Sequence, residues 1–182
     1  MKLMPTVTET GRLISILIGL SLVLSTLEMM IPKPVPFFRL GLSNLPLVLS
    51  LRLLKTRDIF ILALAKVFLQ AMLYGTLFSY IFVFSFSGTL LSVCLMVLAL
   101  RLFKNNISFI GISLLGALAF NSAQLFAAYF ILLGKSVFLV APFFYLAGIV
   151  SSVILGYVVE RFYRESQWLR LLEAQGFGQE VP

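Results

Sequence analysis

The chain has 182 residues, of which 60% are hydrophobic and only 12% charged, and its mean hydropathy is +1.07. A soluble domain is about half apolar and about a quarter charged, so this composition excludes one and indicates an all-α integral membrane protein, a single bundle over 1–182. The net charge of +7 does not indicate nucleic acid as a partner, because the basic residues punctuate the apolar blocks instead of clustering on an aqueous face.

The apolar blocks predict six spans. The first covers 12–31 and follows a segment, 1–11, too polar for a signal peptide. Gly11, Ser15 and Gly19 recur on one face at four-residue steps, and small residues at that spacing let a second helix backbone approach closely. That face either packs inside the bundle or docks a partner helix. Glu28 lies near the end of the span. A proline-rich stretch follows, with Pro32, Pro34 and Pro36, and leads into Phe37-Phe38-Arg39-Leu40-Gly41-Leu42-Ser43-Asn44-Leu45-Pro46. A charge, a glycine, an amide and a proline so close together do not suit a lipid-facing helix. Irregular backbone at membrane depth is tolerated only where protein or a polar cavity surrounds it. Residues 33–46 therefore read as a loop folding into the bundle and lining a site.

The second span, 40–54, is too short to cross a bilayer alone, which takes about 20 apolar residues. It is expected to sit behind other helices or to begin inside the membrane. The third span, 58–75, has Lys66 in its middle, with Gln70 and Tyr74 following on the same face. The fourth covers 81–100 and places Gly88 and Ser92 on one face. The fifth, 107–133, is rich in small residues and carries Asn121 and Gln124 one turn apart. The sixth, 137–160, has Gly148, Ser152 and Gly156 at four-residue steps, and a polar cytoplasmic tail, 161–182, follows, its first half a candidate for lying amphipathically on the membrane.

Lysine and arginine in the loops set the orientation. Ten fall on one side (Lys2, Arg12, Arg52, Lys55, Arg57, Arg101, Lys104, Arg161, Arg164, Arg170) and three on the other (Lys33, Arg39, Lys135). Both termini are then cytoplasmic and the 33–46 loop faces outward.

An ionisable side chain within the membrane costs a few kcal/mol even on lenient insertion scales, about 2.5–3.5. Lys66 is the clearest case, either as a structural ion pair with Glu28 or as a ligand contact. Asn121 and Gln124 are either hydrogen-bonding residues between helices or lining of a cavity. Arg39 either reaches lipid headgroups or holds a fixed place in the loop. Together Glu28, Arg39, Asn44, Lys66, Gln70, Asn121 and Gln124 form the candidate substrate-binding set, with Phe37, Phe38 and Tyr74 as aromatic cover. Two cations against one Glu28 favour a small-molecule solute with anionic or strongly accepting groups. Enzymatic machinery is not expected. Histidine is absent, Cys94 is the lone cysteine and Asp58 the lone aspartate, so an Asp-rich magnesium site, a Cys/His metal cluster and a Ser-His-Asp set are all excluded. No catalytic residue, metal or cofactor is assigned.

Arg39-Leu40-Gly41-Leu42-Ser43-Asn44 resembles the "lysine-leucine-glycine-leucine-alanine-asparagine" signature of the bacterial Gx transporter family, also described as heptaprenyl diphosphate synthase component I. Phe84–Ser92 resembles its fourth-span motif, and Gly111–Gln124 its fifth. The chain departs from the pattern at Phe120 (family histidine), Ala123 (glycine), Thr89 (glycine) and Lys66 (arginine). The family in turn is similar to the S components of energy-coupling factor transporters. The resemblance implies a substrate-binding subunit of the bacterial cytoplasmic membrane. It would take up a vitamin-like or isoprenoid/quinone-precursor solute, energised by a membrane scaffold and partner ATPases, and dock the scaffold through Gly11, Ser15 and Gly19. The alternative is a non-catalytic membrane subunit of a polyprenyl diphosphate synthase system.

Overall fold

A computed structural model describes residues 7–30, 41–103, 106–174 and Phe177. The described residues are helical throughout their regular structure: α1 (Val7–Met29), α2 (Leu45–Ser50), α3 (Thr56–Leu73), α4 (Tyr80–Phe103), α5 (Phe109–Ala128), α6 (Val137–Glu165) and α7 (Gln167–Ala174). Three stretches are long and apolar enough to cross a bilayer: Glu9–Met29, Tyr80–Phe103 and Phe109–Glu165, the last being the α5–α6 hairpin. Large apolar side chains such as Val23, Phe126, Leu139 and Ile154 face outward, while serines, amides, a lysine and a glutamate are buried. Polar inside and apolar outside is the arrangement expected of a protein whose solvent is lipid.

The expected second span is the most altered element. Its helix is only α2, six residues long, entered through a 3-10 turn at Leu42–Asn44 and left through turns ending at Leu54. Pro46 lies in the first turn of α2, where its missing N–H costs nothing. Leu47, Leu49 and Leu51 are almost fully buried, so the segment runs through the middle of the protein and not along its lipid face.

α1 and α3 run in the same direction, with α2 and its turns returning the chain between them, and α3, α4, α5 and α6 alternate. Thr26 Oγ1 and Tyr74 Oη, 3.1 Å apart, join the ends of α1 and α3. Arg101 Nη2 donates to Thr56 Oγ1 at 3.4 Å, bringing the end of α4 to the start of α3. At the same end, Arg52 Nη2 donates to Ile107 O at 2.7 Å and the guanidinium stacks 4.6 Å above the Phe109 ring. This is the arginine end of the bundle, and Glu28 and Tyr74 mark the opposite end.

The small-residue steps of α6 are packing devices. A Cβ on Gly156 would stand 2.5 Å from Ile110 Cα, so only glycine lets the two backbones meet there. Gly148 likewise leaves room for the Asn121 amide. The α1 steps behave oppositely: Gly11, Ser15 and Gly19 are exposed, and a Cβ on either glycine would meet nothing within 4 Å. They do not pack inside the bundle.

The sixth helix runs to Glu165, five residues beyond the expected end at 160, so the tail begins at Ser166. Glu160–Arg164 and Arg161–Glu165 are i,i+4 ion pairs at 2.6 and 3.1 Å, and they carry the helix through a polar sequence. Part of the tail's apolar face is turned into the bundle, while Trp168 and Leu171 stay exposed. Leu169, Leu172 and Phe177 are buried in the core beside Leu13, Val159 and Phe109.

Candidate functional site

Buried polar side chains gather in the half of the bundle away from the arginine end. On α1 the inward stripe runs Leu13, Leu17, Ser21, Ser25, Glu28, apolar at first and polar later. On α3 Ile59 and Leu62 give way to Lys66 and Gln70, and on α4, running the other way, Leu100, Met96 and Val93 give way to Thr89 and Ser85. Asn121 and Gln124 are the corresponding residues of α5.

Glu28 is 2% exposed. It accepts from Gly41 N at 3.0 Å and from Ser43 N at 3.5 Å. These N–H groups lie at the start of the 3-10 turn and α2, where a helix cannot satisfy its own donors, and a carboxylate there is favoured by charge as well as geometry. Gly41 has φ +88°, the left-handed region that an L side chain resists, and this turns the chain so that its amide meets the carboxylate. Lys66, also 2% exposed, donates from Nζ to Asn44 Oδ1, one residue beyond Ser43. The expected direct pairing of Glu28 with Lys66 therefore takes another form: both charges grip the turn Gly41–Asn44, the acid through its backbone and the base through a side chain. A buried charge needs such charge-assisted bonds to be tolerated.

Gln70 and Gln124 are buried in the same half, at 2% and 1% exposure. Asn121 turns elsewhere, donating from Nδ2 to Phe144 O of α6 at 2.9 Å beside Gly148. This is a bond between α5 and α6. Tyr74 holds Thr26 of α1. Arg39, Phe37 and Phe38 lie outside the described residues. Without Arg39 the interior has one buried acid and one buried base, so the excess of positive charge inferred from sequence is not seen among the described residues.

Sequence reasoning passed over Ser21, Ser25, Ser85 and Thr89. All four are buried, and Ser21 Oγ and Ser85 Oγ have no hydrogen-bond partner among the described residues. A signal was available. Ser21, Ser25 and Glu28 follow helical spacing, as do Ser85, Thr89 and Ser92. Among the described residues no group of three or more His, Cys, Asp or Glu side chains is placed to hold a metal. The cluster suits recognition: an ammonium, a carboxylate already engaged by backbone, three amides and several hydroxyls, with no nucleophile–base pair.

No curated protein and no solved structure matches the chain. A family model does, over residues 17–162, from the middle of α1 almost to the end of α6, and so includes every element of this polar interior. The chain belongs to the heptaprenyl diphosphate synthase component I family.

Proposed function

We propose that this protein is the non-catalytic membrane subunit of a polyprenyl diphosphate synthase system, with a separate soluble chain performing prenyl transfer. The family match carries this reading, since a component I implies a second component. The sequence supports the division of labour. Activation of a diphosphate by magnesium calls for clustered carboxylates, and this chain has a single aspartate, Asp58, and, among the described residues, one buried acidic side chain, Glu28.

In this reading the bundle crosses the bilayer six times, α2 and its flanking turns serving as the second crossing. The arginine end is cytoplasmic, supported by the ten-to-three count of basic residues. Cysteines placed at 34 and 135 should then react with impermeant reagents from outside the cell, and one at 104 from inside. Reaction of 34 and 104 from the same side would refute this arrangement.

The second reading, a solute-binding transport subunit, is favoured by one observation, the exposed Gly11–Ser15–Gly19 face, which suits a scaffold helix. Gentle purification from native membranes separates the two. The synthase reading expects a soluble prenyltransferase to accompany the chain. Recovery of a membrane scaffold with ATPases would replace it with the transport reading.

A further inference from the structure

We propose that the elbow between α6 and α7 binds a phospholipid of the adjoining leaflet whose headgroup carries both a phosphate and a primary ammonium. This goes beyond either reading of function above and rests on the membrane-spanning arrangement they share. Among the described residues, a groove of about 540 Å³ opens at the elbow, lined by Tyr157, Val158, Arg161, Phe162, Glu165 and Ser166. α6 has 29 residues. At 1.5 Å per residue that is roughly 43 Å of helix, against a hydrocarbon core of about 30 Å. A helix entering the core at Val137, after the turn Gly134–Ser136, leaves it near Tyr157, about 20 residues on. The groove then stands at headgroup level.

An apolar stripe leads into it. Val150, Ile154, Tyr157 and Val158 follow helical steps down the lipid-facing side of α6, and all are exposed. Where the stripe ends, Arg161 and Glu165 stand one turn apart, both largely exposed, with Nε donating to Oε1 at 3.1 Å. An apolar stripe followed by one cation and one anion matches an amphiphile: chains along the stripe, phosphate at the guanidinium, ammonium at the carboxylate. The guanidinium also meets Tyr157. It has five N–H donors, more than these two contacts use, and a carboxylate accepts through two oxygens. An exposed ion pair contributes little by itself, so its members can turn to a ligand at small cost. The elbow is held in place. Leu169 and Leu172 fix α7 in the core, Ser166 Oγ accepts from Leu169 N at 3.4 Å, and Tyr163 packs on Phe109 with ring centroids 5.1 Å apart. A purely anionic headgroup would meet Glu165 as a like charge, and a quaternary ammonium has no N–H to give it. A soluble protein would meet a stripe that begins in lipid.

The test places the photo-cross-linker p-benzoylphenylalanine at position 162 of the full-length protein and, separately, at position 126, where Phe126 is exposed on α5. Each protein is set in nanodiscs of equal parts phosphatidylethanolamine, phosphatidylglycerol and phosphatidylcholine, and adducts are identified by mass spectrometry. At 162, phosphatidylethanolamine should be captured about threefold or more above each of the others, the worth of one partly exposed charge contact. At 126, capture should follow the bilayer composition. Glu165→Gln should remove the enrichment, while the Glu160–Arg164 pair still supports the helix. Position 158 serves where 162 does not tolerate the cross-linker. Enrichment of phosphatidylglycerol at the elbow, the same capture there as at 126, or an enrichment that survives Glu165→Gln would overturn the proposal. In native membranes, capture of a protein in place of lipid would also overturn it and make the elbow a docking surface for that protein.

Discussion

The two halves of this bundle are built on different principles. Toward the arginine end, Leu17, Leu49, Leu51, Leu62, Met96 and Ile112 meet in one dry cluster, sealed beneath by Leu169 and Leu172 of α7. Toward the opposite end the same helices bring Ser25, Glu28, Lys66, Gln70, Thr89 and Gln124 inward. In lipid, apolar packing gains little from leaving the solvent, so the dry half holds by close contact. The polar half holds by directed bonds: Glu28 to the Gly41 and Ser43 amides, Lys66 to Asn44, Asn121 to Phe144. Among the described residues, buried Ser21 Oγ and Ser85 Oγ in this half lack a hydrogen-bond partner, as do Ser113 Oγ and Arg52 Nε toward the arginine end. The difference sets an apolar foundation against a polar interior, and the polar interior is where we propose that a ligand is held.

Substitutions at matched depths test that division. The largest effect belongs to the dry half. Leu62 is fully buried, and Leu62→Ala leaves a cavity in the cluster that joins α1, α3 and α4. A loss of about 2–5 kcal/mol is expected, measured by reversible unfolding in mixed detergent. Ser85→Ala removes an unpartnered buried hydroxyl from the polar half and should be neutral or slightly stabilising. Equal losses at both positions would erase the contrast. The smallest effect is expected at Gly19→Leu. Its side chain enters open space, so stability should change by less than about 0.5 kcal/mol. Purification from native membranes should nonetheless recover less of any partner that docks on that face. A Gly19→Leu protein that fails to fold would show that the face supports the bundle itself.

Much of the foundation was legible in the sequence. Long apolar blocks marked the helices, and Gly148, Ser152 and Gly156 marked a packing face that meets α5. The shortness of 40–54 called for a segment behind other helices or one begun inside the membrane, and α2 is buried within the bundle. The end of α6 was missed because charge was taken as a boundary, whereas Glu160–Arg164 and Arg161–Glu165 pair along a continuing helix. The packing of α7 was not readable because an amphipathic pattern fits a membrane surface as well as a protein core, and only the fold shows Leu169 and Leu172 joining the core. In the polar half, residue types were readable and partners were not. Nothing local tells Glu28 that the chain will return with Gly41 and Ser43 presenting amides, or that Asn121 will find the carbonyl of Phe144. Such contacts depend on tertiary geometry, which helical spacing does not encode.

The central claim is that the polar half holds a ligand through Lys66. Native mass spectrometry of the full-length protein and of Lys66→Met, purified from the same membranes, tests it most directly. The account predicts a retained small molecule with anionic or strongly accepting groups on the unaltered chain and its loss from Lys66→Met, with both proteins inserted. The same adduct at the same occupancy on both proteins would contradict the account and make Lys66 a structural residue of the Gly41–Asn44 turn.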